Sequence, residues 1–134
     1  MQVHYAQDGK TLRIRFVGEM SEQSVLAHAD EFRRRTRAVK RVQIQFSELT
    51  RATILGRSAF TELQAVLAEQ GKRTAYIADS PRFRGTAIWI VKMCNDEGAS
   101  VFSRPEQAAD WLSDTAERTA GRTAKVLRWK GGDQ

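Results

Sequence analysis

"RVQIQFSELTRATILGRSAFTELQAVLAEQG", residues 41–71, reads as a strand, a link and a helix in one run. Val42, Ile44 and Phe46 alternate with Gln43 and Gln45, the two-residue period of a strand with one buried and one polar face. The link around Thr50 reads as a loop. From Arg57 the period changes: Phe60, Leu63, Val66 and Leu67 share one helical stripe. Gly71 supplies the left-handed backbone on which helices commonly end.

Working outward, "LRIRFVGEM" repeats the division of faces. Leu12, Ile14 and Phe16 point one way and Arg13 and Arg15 the other. Asp8-Gly9 before it is a hairpin signal that joins it to "VHYA". Gly18 is expected to break the strand. Ser21 is placed to cap a helix whose stripe is Val25, Leu26, Ala29 and Phe32. On the other side, "RTAYIADS" is a strand, and Pro81 marks a loop or a helix start. "GTAIWIVKMCND" is a helix with an unusually wide apolar surface: Ala87, Ile90, Val91 and Cys94 form its stripe, widened by Ile88, Trp89 and Met93. "ASVFS" is a short last strand, and "RPEQAADWLSDTAER" a closing helix with Ala108, Trp111 and Leu112 inward.

The order is therefore ββαβαβαβα. A parallel sheet covered on both faces shows continuous apolar strands. These strands alternate, so the expected fold is α/β, a mixed sheet of about five strands with helices mainly on one face. Arg13, Arg15, Gln43 and Gln45 then lie on the more open face. One domain, residues 1–118, is expected, followed by a flexible basic C-terminal tail at 119–134.

Composition narrows the function. The 134 residues carry 22 basic and 16 acidic side chains, a net charge of +6. The densest basic cluster, "RRRTRAVKR" at 33–41, lacks the aromatic platforms or reading helix that nucleic-acid binding usually adds, which argues against nucleic acid. No apolar run approaches the roughly 20 residues of a membrane span, and the N-terminus lacks the apolar stretch of a signal peptide. A cytoplasmic location is expected, and the single Cys94 agrees with a reducing compartment.

Catalytic constellations are missing from the pattern. Gly56 and Ser58 match the first half of the G-x-S-x-G nucleophile elbow, but bulky Phe60 stands at its second glycine. A serine nucleophile needs a base, and the only histidines are His4 and His28. Two separated histidines and one cysteine make no standard zinc site. The surface carboxylates Glu48, Asp79, Asp96 and Glu97 read as solvated. The phosphate-loop pattern G-x-x-x-x-G-K-[ST] is absent. The expectation is no enzyme, no metal and no cofactor.

Taken in order, "LRIRFVGEM", "RVQIQFSELT", the helix from Arg57, "TAYIADS" and "VFSRPEQAADWL" resemble a STAS domain, the fold of anti-sigma-factor antagonists and of the cytoplasmic ends of sulfate transporters. The likeness spans roughly residues 2–116 and is nearest a stand-alone bacterial branch described as SpoIIAA-like. The resemblance implies a switch site, Asp-Ser-Ser-Gly-Leu, at the start of the second helix, whose first serine accepts phosphate. Aligned through Gly56, this chain has Thr53-Ile54-Leu55-Gly56-Arg57 there, so Ile54 replaces the acceptor. The implied function is a protein-interaction or regulatory module without the usual phosphoserine switch, with a protein partner docking through Thr50, Thr53, Ile54, Gly56, Arg57 and Ser58. Thr50, Thr53 and Ser58 read as loop and helix-start hydroxyls that satisfy free N–H groups. Two alternatives stand beside it. The same branch is compared with CRAL-TRIO lipid carriers, so Ile88, Trp89 and Met93 are candidate contacts for a small apolar ligand or lipid, or for a homodimer seam. Nucleic-acid binding through the basic cluster is the other.

Overall fold

Alternating strands and amphipathic helices assemble into one mixed sheet with helices on both sides, unequally shared. A computed structural model describes residues 1–113. The tail expected at 119–134, and the end of the domain at 118, lie outside the described residues. In chain order the elements are β1 (Gln2–Asp8), β2 (Thr11–Met20), α1 (Glu22–Arg37), β3 (Arg41–Ala52), α2 (Ile54–Glu69), β4 (Arg73–Ile77), α3 (Pro81–Cys94) and β5 (Ala99–Phe102). A further helix, α4, covers 105–113. The sheet order is β1-β2-β3-β4-β5. β1 runs antiparallel to β2, and every later pair is parallel.

The expected hairpin is present: Asp8 pairs with Thr11, and Gly9 takes φ +63° in the turn between them. The apolar faces of β2 and β3 meet α1, α2 and α3. Phe60 of α2 sits at the centre of this layer, its ring 5.3 Å from Phe16 and 5.5 Å from Phe46 in edge-on geometry. Tyr76 adds to the cluster 5.4 Å from Phe46. Such tilted pairs add to the stabilisation from area burial alone. The Tyr76 hydroxyl is buried with them and donates to Gln64 Oε1 at 2.5 Å; Gln64 Nε2 donates to Asp96 at 2.5 Å. That relay satisfies polar groups which would otherwise be costly inside the core. Burial holds the Tyr76 phenol well above its ordinary pKa, helped by the nearby Cys94 and Asp96.

α4 packs on the opposite face. Ala75 and Ile77 point away from Tyr76, and Ala108 and Leu112 cover them beside Phe102 and Trp111. Ala108, Trp111 and Leu112 thus face inward as expected, on the far side of β4 and β5.

Several boundaries differ from the sequence reading. Gly18 does not end β2; it takes φ +101° in a stretch of shifted register, and pairing continues to Met20. Thr50 is not in a loop but is an exposed residue of β3. The link shrinks to Thr53 alone, because the irregular end of β2 pairs with β3 as far as Ala52. α2 starts at Ile54, three residues before Arg57, and α3 starts at Pro81 rather than Gly85. Leu26 is 62% exposed; the buried stripe of α1 runs Val25, Ala29, Phe32 and Thr36. Thr36 enters the core because its hydroxyl donates to the Phe32 carbonyl at 2.8 Å.

Candidate functional site: the start of α2

The parallel strands β2, β3 and β4 each deliver the chain to a hydroxyl-capped helix. Ser21 caps α1 in a reciprocal box with Ser24, Thr53 caps α2, and Ser80 caps α3 with Pro81 following. Each cap satisfies an orphan N–H of the first turn. At α2 the Thr53 hydroxyl accepts from Gly56 N at 2.9 Å. Its backbone N–H donates to the Met20 carbonyl at 3.0 Å, tying this junction to the one before it.

Gly56 is where the two junctions touch. A Cβ there would lie 2.3 Å from the Met20 carbonyl oxygen and 3.0 Å from Ser21 Cα. Only glycine fits, because the obstacle is backbone and cannot rotate away. This anchoring turns the first turn of α2 outward. Ile54 is 71% exposed and Leu55 61% exposed. Two large apolar side chains on a fixed, solvent-facing turn gain from being covered.

The remaining residues of the expected docking surface divide. Ser58 is exposed in the second turn of α2, past the cap, so it decorates the helix and Thr53 starts it. Its carbonyl accepts from the Thr61 hydroxyl at 2.5 Å. Among the described residues no histidine or carboxylate hydrogen-bonds the Ser58 hydroxyl, and His28 Nε2 instead lies 3.1 Å from the Met1 carbonyl. Arg57 turns towards α3, and its guanidinium lies over the Trp89 ring at 5.0 Å. Sequence reasoning placed Arg57 in one candidate surface and Trp89 in another; the structure stacks them into one. Nothing local signals a pair formed across 32 positions. Ile88 and Met93 are exposed, at 41% and 61%.

The other candidates are engaged elsewhere. Arg34 and Arg35 of the basic cluster both bond Glu31, at 2.5 and 2.7 Å, and hold its carboxyl below the usual carboxylate range. Arg35 also lies over the Tyr5 ring at 4.9 Å. The Cys94 thiol donates to the Thr61 carbonyl, and burial pushes its pKa up. Among the described residues no three of His, Cys, Asp and Glu converge as a metal would require. No helix among them is long and apolar enough to cross a membrane.

The chain has the SpoIIAA-like, STAS-type fold that the ordered sequence features resemble. A serine-to-glutamate variant of RsbS from Moorella thermoacetica superposes with a TM-score of 0.68 at 18% identity, covering 87% of this chain and 99% of that one. An anti-sigma factor antagonist from Mycobacterium paratuberculosis gives 0.66 at 12% identity, covering 84% and 94%. An uncharacterised DUF3478 protein with a SpoIIAA-like fold from Shewanella loihica gives 0.61 at 15% identity, covering 83% and 92%. No protein-family model and no curated protein matches the sequence.

Proposed function

We propose that this protein is a non-enzymatic regulatory module that docks a protein partner through the first turn of α2, without a phosphoserine switch. The observation that carries the reading is the exposed Ile54–Leu55 pair on a turn locked by Gly56. Proteins of this fold include anti-sigma factor antagonists, which work through protein partners, and partner docking is the shared property we carry over. Ile54 has no hydroxyl to modify. Thr53 has one, but it already caps the helix and lies 3.4 Å from the Met20 carbonyl. A phosphate there would break the cap and meet that carbonyl oxygen.

Affinity capture from the source cell tests the reading, comparing wild type with Ile54→Asp/Leu55→Asp. The pair is exposed, so the variant is expected to melt within a few degrees of wild type. A partner held by wild type should be lost. Identical captured sets at equal stability would overturn docking at this turn. Intact-mass measurement of the protein from its own cells is expected to show no phosphate; a phosphorylated Thr53 or Ser58 would restore the switch.

A further inference from the structure

Among the described residues, the sheet face opposite the aromatic layer is only half covered. α4 closes it over β4, while β1, β2 and β3 leave a depression of about 320 Å³. His4, Ala6, Arg13, Arg15, Gln43 and Gln45 line it. Register places them in two rows: His4, Arg15 and Gln45 in one, Ala6, Arg13 and Gln43 in the other. Strand geometry sets neighbours about 4.8 Å apart across the rows and about 6.6 Å along each strand. Two guanidiniums and two amides therefore form a plate the size of a small molecule.

Three observations point to an occupant. Gln43 is 6% exposed, yet its amide has no hydrogen-bond partner among the described residues. The amide is not one of the fully buried unpaired polar groups; it lines the depression, where a ligand can meet its donors and acceptor. Second, the charged side chains that line the depression are both arginines. Asp8 and Glu48, which pair with Arg13 at 3.3 Å and Arg15 at 3.2 Å, do not line it. Each of those contacts engages one nitrogen of a guanidinium that carries five N–H donors. Third, the volume is at the small end of ligand pockets, and most of the surface lining it is apolar, which suits the organic body of a small ligand.

We propose that this face binds a small organic anion, its acid group across Arg13 and Arg15 and its body against the Gln43 amide. The site is separate from the docking turn on α2, so either can fail without the other.

An NMR titration of the full chain tests it, with benzoate and phenyl phosphate as anionic probes and benzyl alcohol as the neutral one. Either anion is expected to give saturable shifts at the backbone amides of Ala6, Arg13, Arg15, Gln43 and Gln45. The tighter of the two decides between a carboxylate and a phosphate. Benzyl alcohol should leave the same amides in place. Arg13→Gln/Arg15→Gln should weaken binding about tenfold or more at unchanged Tm, because charge-assisted contacts are lost. Arg33→Gln, on α1, should not weaken it. Gln43→Met keeps the volume and removes the amide, and should weaken the anion with little change in Tm.

Absence of saturable shifts with both anions at about 10 mM, a concentration that detects even millimolar affinity, overturns the proposal. So does equal binding by the arginine double variant, or equal binding of benzyl alcohol. Broadening of these amides that grows with protein concentration and without a probe would give the face to a second copy and overturn it too.

Discussion

On one side of the sheet, Phe16, Phe46 and Tyr76 are sealed beneath three helices; on the other, Arg13, Arg15 and Gln45 stand over three strands that no described helix covers. The same two strands, β2 and β3, supply both surfaces by simple alternation. On the covered side each residue is constrained by close-packed neighbours, so shape decides what is tolerated. On the open side the ion pairs are about half exposed, where water weakens them and stability depends on them little. Along β2 and β3, the packing that holds the fold therefore lies on the covered face, while the opposite face adds buried packing only where α4 meets β4 and β5.

Phe60→Ala should break this contrast most severely. It removes the central ring of the covered face and should cost about 3–5 kcal/mol in urea denaturation. Gly56→Ala comes next: its Cβ meets the Met20 backbone, and a loss of about 3 kcal/mol is expected as α2 is pushed off the β2–α1 junction. A loss below about 0.5 kcal/mol would show that the two junctions are not in contact. Thr53→Ala should cost about 1 kcal/mol through the lost cap.

Tyr5→Phe sharpens the comparison through pH. Burial, with Glu31 nearby, pushes the Tyr5 phenol up to about 12. A phenol whose folded pKa lies above its unfolded value of about 10 binds its proton more tightly in the folded chain. Its contribution is complete below pH 10 and is lost as pH rises towards 12. Tyr76 shifts in the same direction. Tyr5→Phe should thus flatten part of the alkaline limb of the stability profile. At neutral pH it should change stability little, because the Tyr5 hydroxyl is buried without a hydrogen-bond partner among the described residues. Smallest of all, Arg15→Gln on the open face should shift stability by less than about 0.5 kcal/mol. A cost comparable to Thr53→Ala would mean the open face shares in holding the fold.

Much of this division was legible in the sequence. Period-two alternation in β2 and β3 identified both faces and the residues on each, and Ser21 and Gly71 marked helix ends from local chemistry alone. What escaped was non-local. Thr50-Arg51-Ala52 has no alternating apolar pattern, and it becomes strand because the end of β2 lies alongside. The inward residues of α4 could be named, but which face they cover depends on where the chain passes the sheet edge. For the candidate site, Gly56 stands out as half of an elbow pattern and as the anchor of the switch-site alignment, whereas the structure shows its close backbone packing against Met20. Ile54 stands in the expected docking set through its place in the switch-site alignment, whereas the exposure of Ile54 and Leu55 follows from that packing and has no signal in the sequence. The stack of Arg57 on Trp89 had no local signature.

The spatial order of the strands repeats their order along the chain. A polypeptide emerging from the ribosome therefore offers each new strand a partner edge that has already been synthesised. No early strand must wait, unpaired, for a late one to be inserted beside it. Assembly can advance vectorially from the β1–β2 hairpin, which shortens the time that sticky edges stay open to other chains during translation.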